Sequence, residues 1–204
     1  MIDPAVLRFI AITDNIRDGQ SGLIARASAA ARGGATCIQL RLKDVSARDL
    51  VVIAKELVRS VGVPVIVNDR ADVAIAAGAA GVHLGADDVP ASAIRSFVPE
   101  GFIIGASVGN DEEIRSAAGA DYVGIGPVFS TSSKKDAGHA IGMAEFTRLS
   151  VATGLPAVAI GGITTENARL AIDAGAAGVA AIASVLGTID PLASARAMAS
   201  AIGT

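Results

Sequence analysis

The chain has 204 residues with a formal net charge of −3, and 51% of its residues are hydrophobic although only 3% are aromatic. A nucleic-acid surface needs a basic stripe and a membrane span needs about 20 consecutive apolar residues; the sequence has neither, so we expect no nucleic-acid partner and no membrane association. Because the start of the chain does not resemble a signal peptide and Cys37 is the single cysteine, we expect a cytoplasmic protein, formed by one domain over residues 1–204.

A glycine-containing turn followed by a short apolar strand recurs along the chain. The glycines are Gly33-Gly34, Gly78, Gly119 and Gly175. Each can adopt the left-handed conformation that ends a helix, and a strand follows within about three residues. Together with the other apolar runs, this pattern predicts eight strands. They cover approximately residues 8–12, 36–40, 64–67, 81–84, 102–105, 121–125, 156–160 and 178–182.

Helical patterns separate these strands, for example over 46–61 and 164–174, where Ser46 and Thr164 are typical N-cap residues. Strict alternation of strands and helices implies right-handed crossovers and a parallel sheet. Eight such units in about 200 residues fit a (β/α)₈ TIM barrel. The alternative is an open doubly wound sheet, which is disfavoured because no G-x-G-x-x-G motif follows the first strand.

Polar residues collect at the C-terminal ends of the predicted strands, where TIM barrels carry their active sites. Gln39, Arg41 and Lys43 alternate after the second strand, so their side chains point to one side of an extended segment. Two cations and an amide on one side suit an oxyanion-rich ligand such as a diphosphate. The alternative is an exposed strand with surface charges, which the apolar run before these residues disfavours.

Two aspartates follow neighbouring strands of the predicted barrel. Asp69 comes after the third strand and Asp88 after the fourth. Carboxylates at adjacent strand ends can share a hard cation, so we expect this pair to bind Mg²⁺. Each aspartate could instead cap a helix, and Asp87 could take the place of Asp88.

Two further segments fit a phosphate group. The loop over 130–135 offers hydroxyl and ammonium groups, although it could also be a flexible, solvated segment. Gly161-Gly162 allows a close approach of the backbone to a ligand after the seventh strand, where barrels commonly bind phosphate. We interpret His83 as a hydrogen-bonded interior residue and Cys37 as a small core residue. Neither His83 nor His139 has the spacing of a metal-binding pair.

These motifs, in this order, resemble those of the thiamine-phosphate synthase (thiamine-phosphate pyrophosphorylase) family. The resemblance covers nearly the whole chain. It runs through AITD, IQLRLKD, VNDRADVAIAAGAAGVHLGADD, IGASV, GADYVGIGPVFSTSSKKD, AIGGITTENA and GAAGVAAIASV. It implies a TIM barrel that moves a 4-amino-2-methyl-5-pyrimidinylmethyl group from its diphosphate to the nitrogen of a thiazole phosphate. The products would be thiamine phosphate and diphosphate, and the cofactor would be Mg²⁺.

The resemblance also implies roles for individual residues. The pyrimidine diphosphate would be held by Gln39, Arg41, Lys43, Asn68, Ser107 and Lys134. The thiazole phosphate would be held by Thr131, Ser133, Gly162, Ile182 and Ala183. The metal ligands would be Asp69 and Asp88. The catalytic set would be Arg41, Lys43, Lys134 and Ser107, in which the cations neutralise charge on the leaving diphosphate.

Three positions differ from the family pattern. Ala86 replaces the usual glutamine before the acidic pair, the T-x-T-K loop reads TSSK over 131–134, and Ala183 replaces the usual serine after the last strand. Two other functions therefore stay open: a thiazole tautomerase-like enzyme and a non-catalytic sensor of phosphorylated ligands. Tautomerases of this type tend to lose the aspartates and the Q-x-R-x-K set, which this chain retains. We expect small-molecule substrates. The sequence does not decide between a monomer and a homo-oligomer.

Overall fold

The computed structural model describes residues 2–14, 16, 18–131 and 138–204. Within them, eight parallel strands form one closed barrel. The strands are Phe9–Ile12 (β1), Cys37–Leu40 (β2), Val65–Asn68 (β3), Gly81–Leu84 (β4), Ile103–Val108 (β5), Tyr122–Ile125 (β6), Ala157–Ile160 (β7) and Gly178–Ala181 (β8). The helices are Pro4–Leu7 (α1), Gly19–Arg32 (α2), Ala47–Ser60 (α3), Ala71–Ala77 (α4), Ala91–Ile94 (α5), Asp111–Ile114 (α6), Gly142–Thr153 (α7), Ala168–Asp173 (α8) and Pro191–Ile202 (α9). None of the helices in these residues is both long and apolar enough to cross a bilayer.

The barrel closes because its first strand pairs with its last. β1 pairs in parallel with β2, where Ile10 lies opposite Cys37. It also pairs in parallel with β8, where Phe9 lies opposite Val179. The predicted (β/α)₈ TIM barrel is therefore confirmed. The alternative open doubly wound sheet is excluded, since an open sheet would have two free edges.

Alternate residues of each strand pack on opposite sides of the barrel wall. Inside the barrel, a buried cluster includes Ile10, Cys37, Ile66, Tyr122 and Val158. Outside, the strands pack against the helices through a larger cluster that is mostly Ala, Val, Ile and Leu. The prediction that Cys37 is a core residue is confirmed, and burial raises the pKa of its thiol to about 12. The low aromatic content therefore reflects a core of small side chains between a parallel sheet and its helices.

The recurring glycine turns place the strands where the sequence predicts them. Gly78, Gly119 and Gly175 have φ values of 68°, 89° and 93°, so the left-handed turns are confirmed at these positions. At the first turn the left-handed residue is Gly34, with φ of 112°, whereas Gly33 has φ of −81°. Every strand begins within one residue of its predicted start.

The two helices predicted from cap signals have different outcomes. The helix over 46–61 is confirmed as α3, and Ser46 Oγ accepts a hydrogen bond from the backbone N of Asp49 at 3.2 Å. The helix predicted over 164–174 begins only at Ala168, so Thr164 is not its N-cap. The side chain of Asn167 bonds to this segment: its Oδ1 accepts from the backbone N of Thr164 at 2.8 Å and its Nδ2 donates to the backbone O of Gly162 at 2.8 Å. The backbone O of Thr164 also accepts from the backbone N of Ala168 at 2.9 Å, so residues 164–167 form a turn that leads into α8.

Candidate active site

A cavity of about 850 Å³ opens at the C-terminal ends of the strands. Its wall contains every predicted site residue that the structure describes. These residues are Gln39, Arg41, Lys43, Asn68, Asp69, Asp88, Ser107, Thr131, Gly162, Ile182 and Ala183. Ser133 and Lys134, also predicted for the site, lie outside the described residues. Side chains that are far apart in the sequence therefore meet at one end of the barrel.

The cationic side of the cavity is built at the end of β2. Thr13 connects the chain after β1 to Arg41, because its Oγ1 accepts from the Arg41 backbone N at 2.8 Å and donates to the Arg41 backbone O at 3.0 Å. Gln39, two residues before Arg41 and on the same face, is buried with 4% of its surface exposed. Lys43 continues the alternation into the cavity wall. The backbone that carries the two cations is thus held by a buried hydroxyl.

Asp69 and Asp88 form an acidic pair beside Gly85. A Cβ atom placed on Gly85 would lie 4.0 Å from Asp69 Oδ1 and 3.2 Å from Asp88 Oδ2. Asp88 Oδ2 also accepts a hydrogen bond from the Gly85 backbone N at 2.6 Å. Burial, a hydrogen bond to Asp88 and the charge of Asp88 raise the pKa of Asp69 to about 6, against the opposing charges of Arg41 and Lys43. Two carboxylates this close favour a proton or a cation between them.

This pair is compatible with Mg²⁺ shared with a ligand. In the described part of the chain, no group of three or more His, Cys, Asp and Glu side chains could hold a metal by itself. Mg²⁺ commonly binds through only one or two carboxylates, and water and substrate phosphates supply its other oxygen ligands. Burial is the main cause of the raised pKa of Asp69, and the nearby charges of Arg41 and Lys43 oppose it. The donor set therefore fits a metal that binds together with a phosphorylated molecule.

The structure also distinguishes Asp87 from Asp88, the two candidate aspartates after β4. Asp87 lines the cavity but is exposed, and its carboxylate is not part of the pair described above. Asp88 is the residue whose carboxylate lies against both Gly85 and Asp69. Of the two, it is therefore Asp88 whose carboxylate lies beside Asp69.

The loops after β6, β7 and β8 form one continuous wall opposite the acidic pair. Gly161 and Gly162 have φ values of 93° and 65°. A Cβ atom on Gly162 would lie 2.5 Å from the backbone O of Ser130, so only glycine allows the β6 and β7 loops to pack this closely. Ser184 Oγ donates to the backbone O of Ile163 at 2.7 Å and ties the β8 loop to the β7 loop. Such a wall is the usual phosphate site of a TIM barrel.

The floor of the cavity is a row of hydrogen-bonded polar side chains inside the barrel. His83 is 8% exposed and lies between the Tyr122 hydroxyl, 2.9 Å from its Nδ1, and Ser107 Oγ, 3.1 Å from its Nε2. Tyr122 also bonds to the side chain of Gln39, and burial raises its pKa well above the ordinary tyrosine value. The prediction that His83 is a hydrogen-bonded interior residue is confirmed.

A comparison with known protein families decides the family of this chain. A family described as thiamine monophosphate synthase matches residues 9–185, a span that includes all eight described strands. The chain belongs to the thiamine monophosphate synthase family. The resemblance predicted from the motifs is therefore confirmed.

Individual members of the thiamine monophosphate synthase family agree with this assignment. The thiamine-phosphate synthase of Roseiflexus castenholzii is 47% identical over 192 residues, which are 92% of this chain and 84% of the relative. That of Methanoculleus marisnigri is 52% identical over 174 residues, which are 83% of this chain and 82% of the relative. The solved structure of a thiamine phosphate pyrophosphorylase from Pyrococcus furiosus has a TM-score of 0.85 and 35% identity, with 98% of this chain and 97% of that chain covered.

The cavity of this thiamine monophosphate synthase family member also contains residues that sequence reasoning missed. They are Asn110, Glu113, Thr164 and Ser184, and His83 faces the cavity in addition to its interior role. Glu113 accepts hydrogen bonds from the Gly109 backbone N at 2.7 Å and from Asn110 Nδ2 at 2.8 Å, which shapes the loop after β5. The spacing Asn-x-x-Glu, which is typical of a helix start, is a sequence signal that could have identified this loop.

Proposed function

We propose that this chain joins a pyrimidinylmethyl diphosphate to a thiazole phosphate and releases thiamine phosphate and diphosphate, with Mg²⁺ as its metal. The bond from the pyrimidinylmethyl carbon to the diphosphate oxygen breaks, and its electron pair leaves with the diphosphate. The thiazole nitrogen supplies the electron pair of the new carbon–nitrogen bond. This reaction needs no nucleophile from the protein, and its requirements are positioning and charge stabilisation.

One observation carries the proposal: cations and a carboxylate pair lie together in the wall of the cavity at the C-terminal ends of the strands. Arg41 and Lys43 are close enough to Asp69 for their charges to lower its pKa. In the proposal, Asp69 and Asp88 hold the metal, which when bound supplies positive charge to the oxygens of the diphosphate. Arg41 and Lys43, with Lys134 from the loop after β6, compensate the charge that develops as the diphosphate leaves.

The remaining predicted residues hold the two substrates. Gln39, Asn68 and Ser107 lie on the floor and neighbouring wall, where they would orient the pyrimidine. The wall formed after β6, β7 and β8 would hold the thiazole phosphate through Thr131, Ser133, Gly162 and the segment 182–183. Ala183 offers no hydroxyl, so phosphate binding at this end relies more on the backbone and on the β6 loop. A cytoplasmic location is part of the proposal and agrees with a chain that has a single cysteine.

The test is a two-substrate assay on the purified chain with Mg²⁺. We expect release of diphosphate and formation of thiamine phosphate in equal amounts, with no product when the metal is removed by a chelator. Asp69→Asn should abolish this turnover, while Asp72→Asn, which removes an exposed carboxylate bound to Arg70, should keep it. Binding of both substrates without product would instead indicate a sensor. Isomerisation of a carboxythiazole phosphate alone would indicate a tautomerase. Either result would overturn the proposal.

A further inference from the structure

The polar row on the cavity floor contains two residues that the proposed reaction does not use. His83 and Tyr122 are both buried inside the barrel, and His83 bridges Tyr122 to Ser107. The ring of Tyr122 lies deeper, within the interior apolar cluster. Ser107 is at the other end of the row, in the cavity wall. A buried polar row that ends on a substrate-facing hydroxyl can determine which way that hydroxyl donates.

The number of hydrogens on each group determines which group donates in each hydrogen bond of the row. A tyrosine hydroxyl has one hydrogen to donate, and burial keeps the Tyr122 hydroxyl protonated because it raises its pKa. The hydrogen bond from Gln39 opposes that rise, as expected when an amide N–H donates to the phenol oxygen. Tyr122 is then free to donate its own hydrogen to His83 Nδ1, 2.9 Å away.

A neutral histidine that accepts at Nδ1 carries its hydrogen on Nε2. His83 Nε2 therefore donates to Ser107 Oγ across 3.1 Å. Since Ser107 Oγ accepts this bond, its own hydrogen is available for the cavity. We propose that Tyr122 and His83 are positioning residues that make the Ser107 hydroxyl a hydrogen-bond donor to the substrate. The proposal rests on the proposed function, in which the partner of Ser107 would be an acceptor atom of the pyrimidine substrate.

Glycines on the neighbouring strands leave room for the two rings. A Cβ atom on Gly105 would lie 2.3 Å from Tyr122 Cζ and 2.5 Å from His83 Nδ1. A Cβ atom on Gly124 would lie 3.0 Å from His83 Cε1. The rings thus occupy the space that side chains of β5 and β6 would fill.

The direct test is the tautomer of His83, measured on the complete chain without substrates. The sequence has only two histidines, so nitrogen NMR of protein with ¹⁵N-labelled histidine gives two ring systems, and a His139→Gln variant assigns them. We expect His83 to be neutral with hydrogen on Nε2 and none on Nδ1. Hydrogen on Nδ1, alone or on both nitrogens, would overturn the proposal. This result does not depend on whether the chain has the proposed activity.

The kinetic test uses Tyr122→Phe, Ser107→Ala and the double variant. Loss of a neutral hydrogen bond is worth about 1 kcal/mol, so we expect kcat/KM for the pyrimidine diphosphate to fall about 5- to 10-fold in Tyr122→Phe, with KM for the thiazole phosphate unchanged. Because both changes remove the same donor, the double variant should be no slower than Ser107→Ala. Losses that multiply would contradict a shared role.

A matched control separates positioning from simple loss of stability. Thr36→Val also removes a hydroxyl that bonds to a neighbouring strand, since Thr36 Oγ1 accepts from the Phe9 backbone N at 2.8 Å, but it lies at the opposite end of the barrel. We expect this variant to lose stability and keep its kcat/KM. Equal kinetic losses in Thr36→Val and Tyr122→Phe would overturn the positioning role. Absence of turnover in the unaltered chain would disprove the proposed function and leave the tautomer measurement intact.

Discussion

Asp69 has a backbone conformation that residues other than glycine seldom adopt. Its φ is 63°, and it is the single non-glycine residue with positive φ in the described part of the chain. A left-handed conformation costs an L-residue about 1–2 kcal/mol, and less for Asp and Asn. The backbone N of Asp69 donates to the backbone O of His83 at 2.8 Å, which holds this conformation directly after β3. Strain at such a position is typical of residues kept for function.

Asp88 and the neighbouring Asp87 should differ in their response to the same substitution. We expect Asp88→Asn to lower kcat/KM by about 100-fold or more, since removal of one charge-stabilising group commonly has this effect. Asp87→Asn, the matched control, should retain most of the activity because Asp87 is exposed and lies outside the pair with Asp69. Steady-state kinetics at saturating Mg²⁺ would measure both. A larger loss in Asp87→Asn would reverse the assignment of the ligand.

The sequence predicts the acidic and cationic residues of the cavity well, because they follow buried strands whose ends must meet in a barrel. It does not predict the row behind Ser107. Tyr122 reads as one more apolar residue of a strand, and its contact with His83 depends on Gly105 and Gly124 leaving room for both rings. Such a contact depends on what neighbouring strands lack, and a pattern within one strand cannot reveal it.

The elements around the site differ in how much their own sequences determine them. Each described strand is four to six residues long, and the strand starts follow from glycine turns and apolar runs. Short helices such as α6, with four residues, have too few positions for a helical period to be recognised. α8 begins at Ala168, and just before it the side chain of Asn167 bonds to the loop at Thr164 and Gly162. A polar side chain that bonds to nearby backbone competes with the helix.

The side chain of Asn167 should therefore affect binding of the thiazole phosphate. Asn167→Ala removes both bonds that shape the loop after β7, so we expect KM for the thiazole phosphate to rise about 10-fold, in line with loss of one to two hydrogen bonds. The KM for the pyrimidine diphosphate should change little. Ser46→Ala is the control, because loss of this N-cap costs about 1 kcal/mol of stability far from the loop. Equal effects on both KM values in Asn167→Ala would show that the loop is not specific for one substrate.

The whole molecule gathers its ligand-facing groups from almost the full length of the chain. The cavity wall extends in sequence from Ile12, on the first strand, to Ser184, just after the last. These residues come together because β1 pairs with β8. A ligand held by this wall therefore binds the closed barrel and has no comparable site on the unfolded chain.

This coupling predicts that ligand binding stabilises the entire barrel. Mg²⁺ and diphosphate together, at about 100 times their dissociation constant, should contribute almost 3 kcal/mol and raise Tm by about 5 °C or more. Asp69→Asn should lose this shift but stay folded, because asparagine also tolerates the left-handed conformation. Asp72→Asn should show the full shift. Scanning calorimetry with each ligand alone and with both would test it, and an undiminished shift in Asp69→Asn would contradict the metal assignment.

The pairing of β1 with β8 also affects how the protein is made. A growing polypeptide on the ribosome contains Gln39 and Arg41 well before it contains Ile182 and Ala183. Until β8 docks against β1, the barrel has an open seam and the two halves of the pocket have no fixed distance between them. Affinity for both substrates should therefore arise in one step when β8 docks against β1, and fragments that stop before residue 178 should be inert.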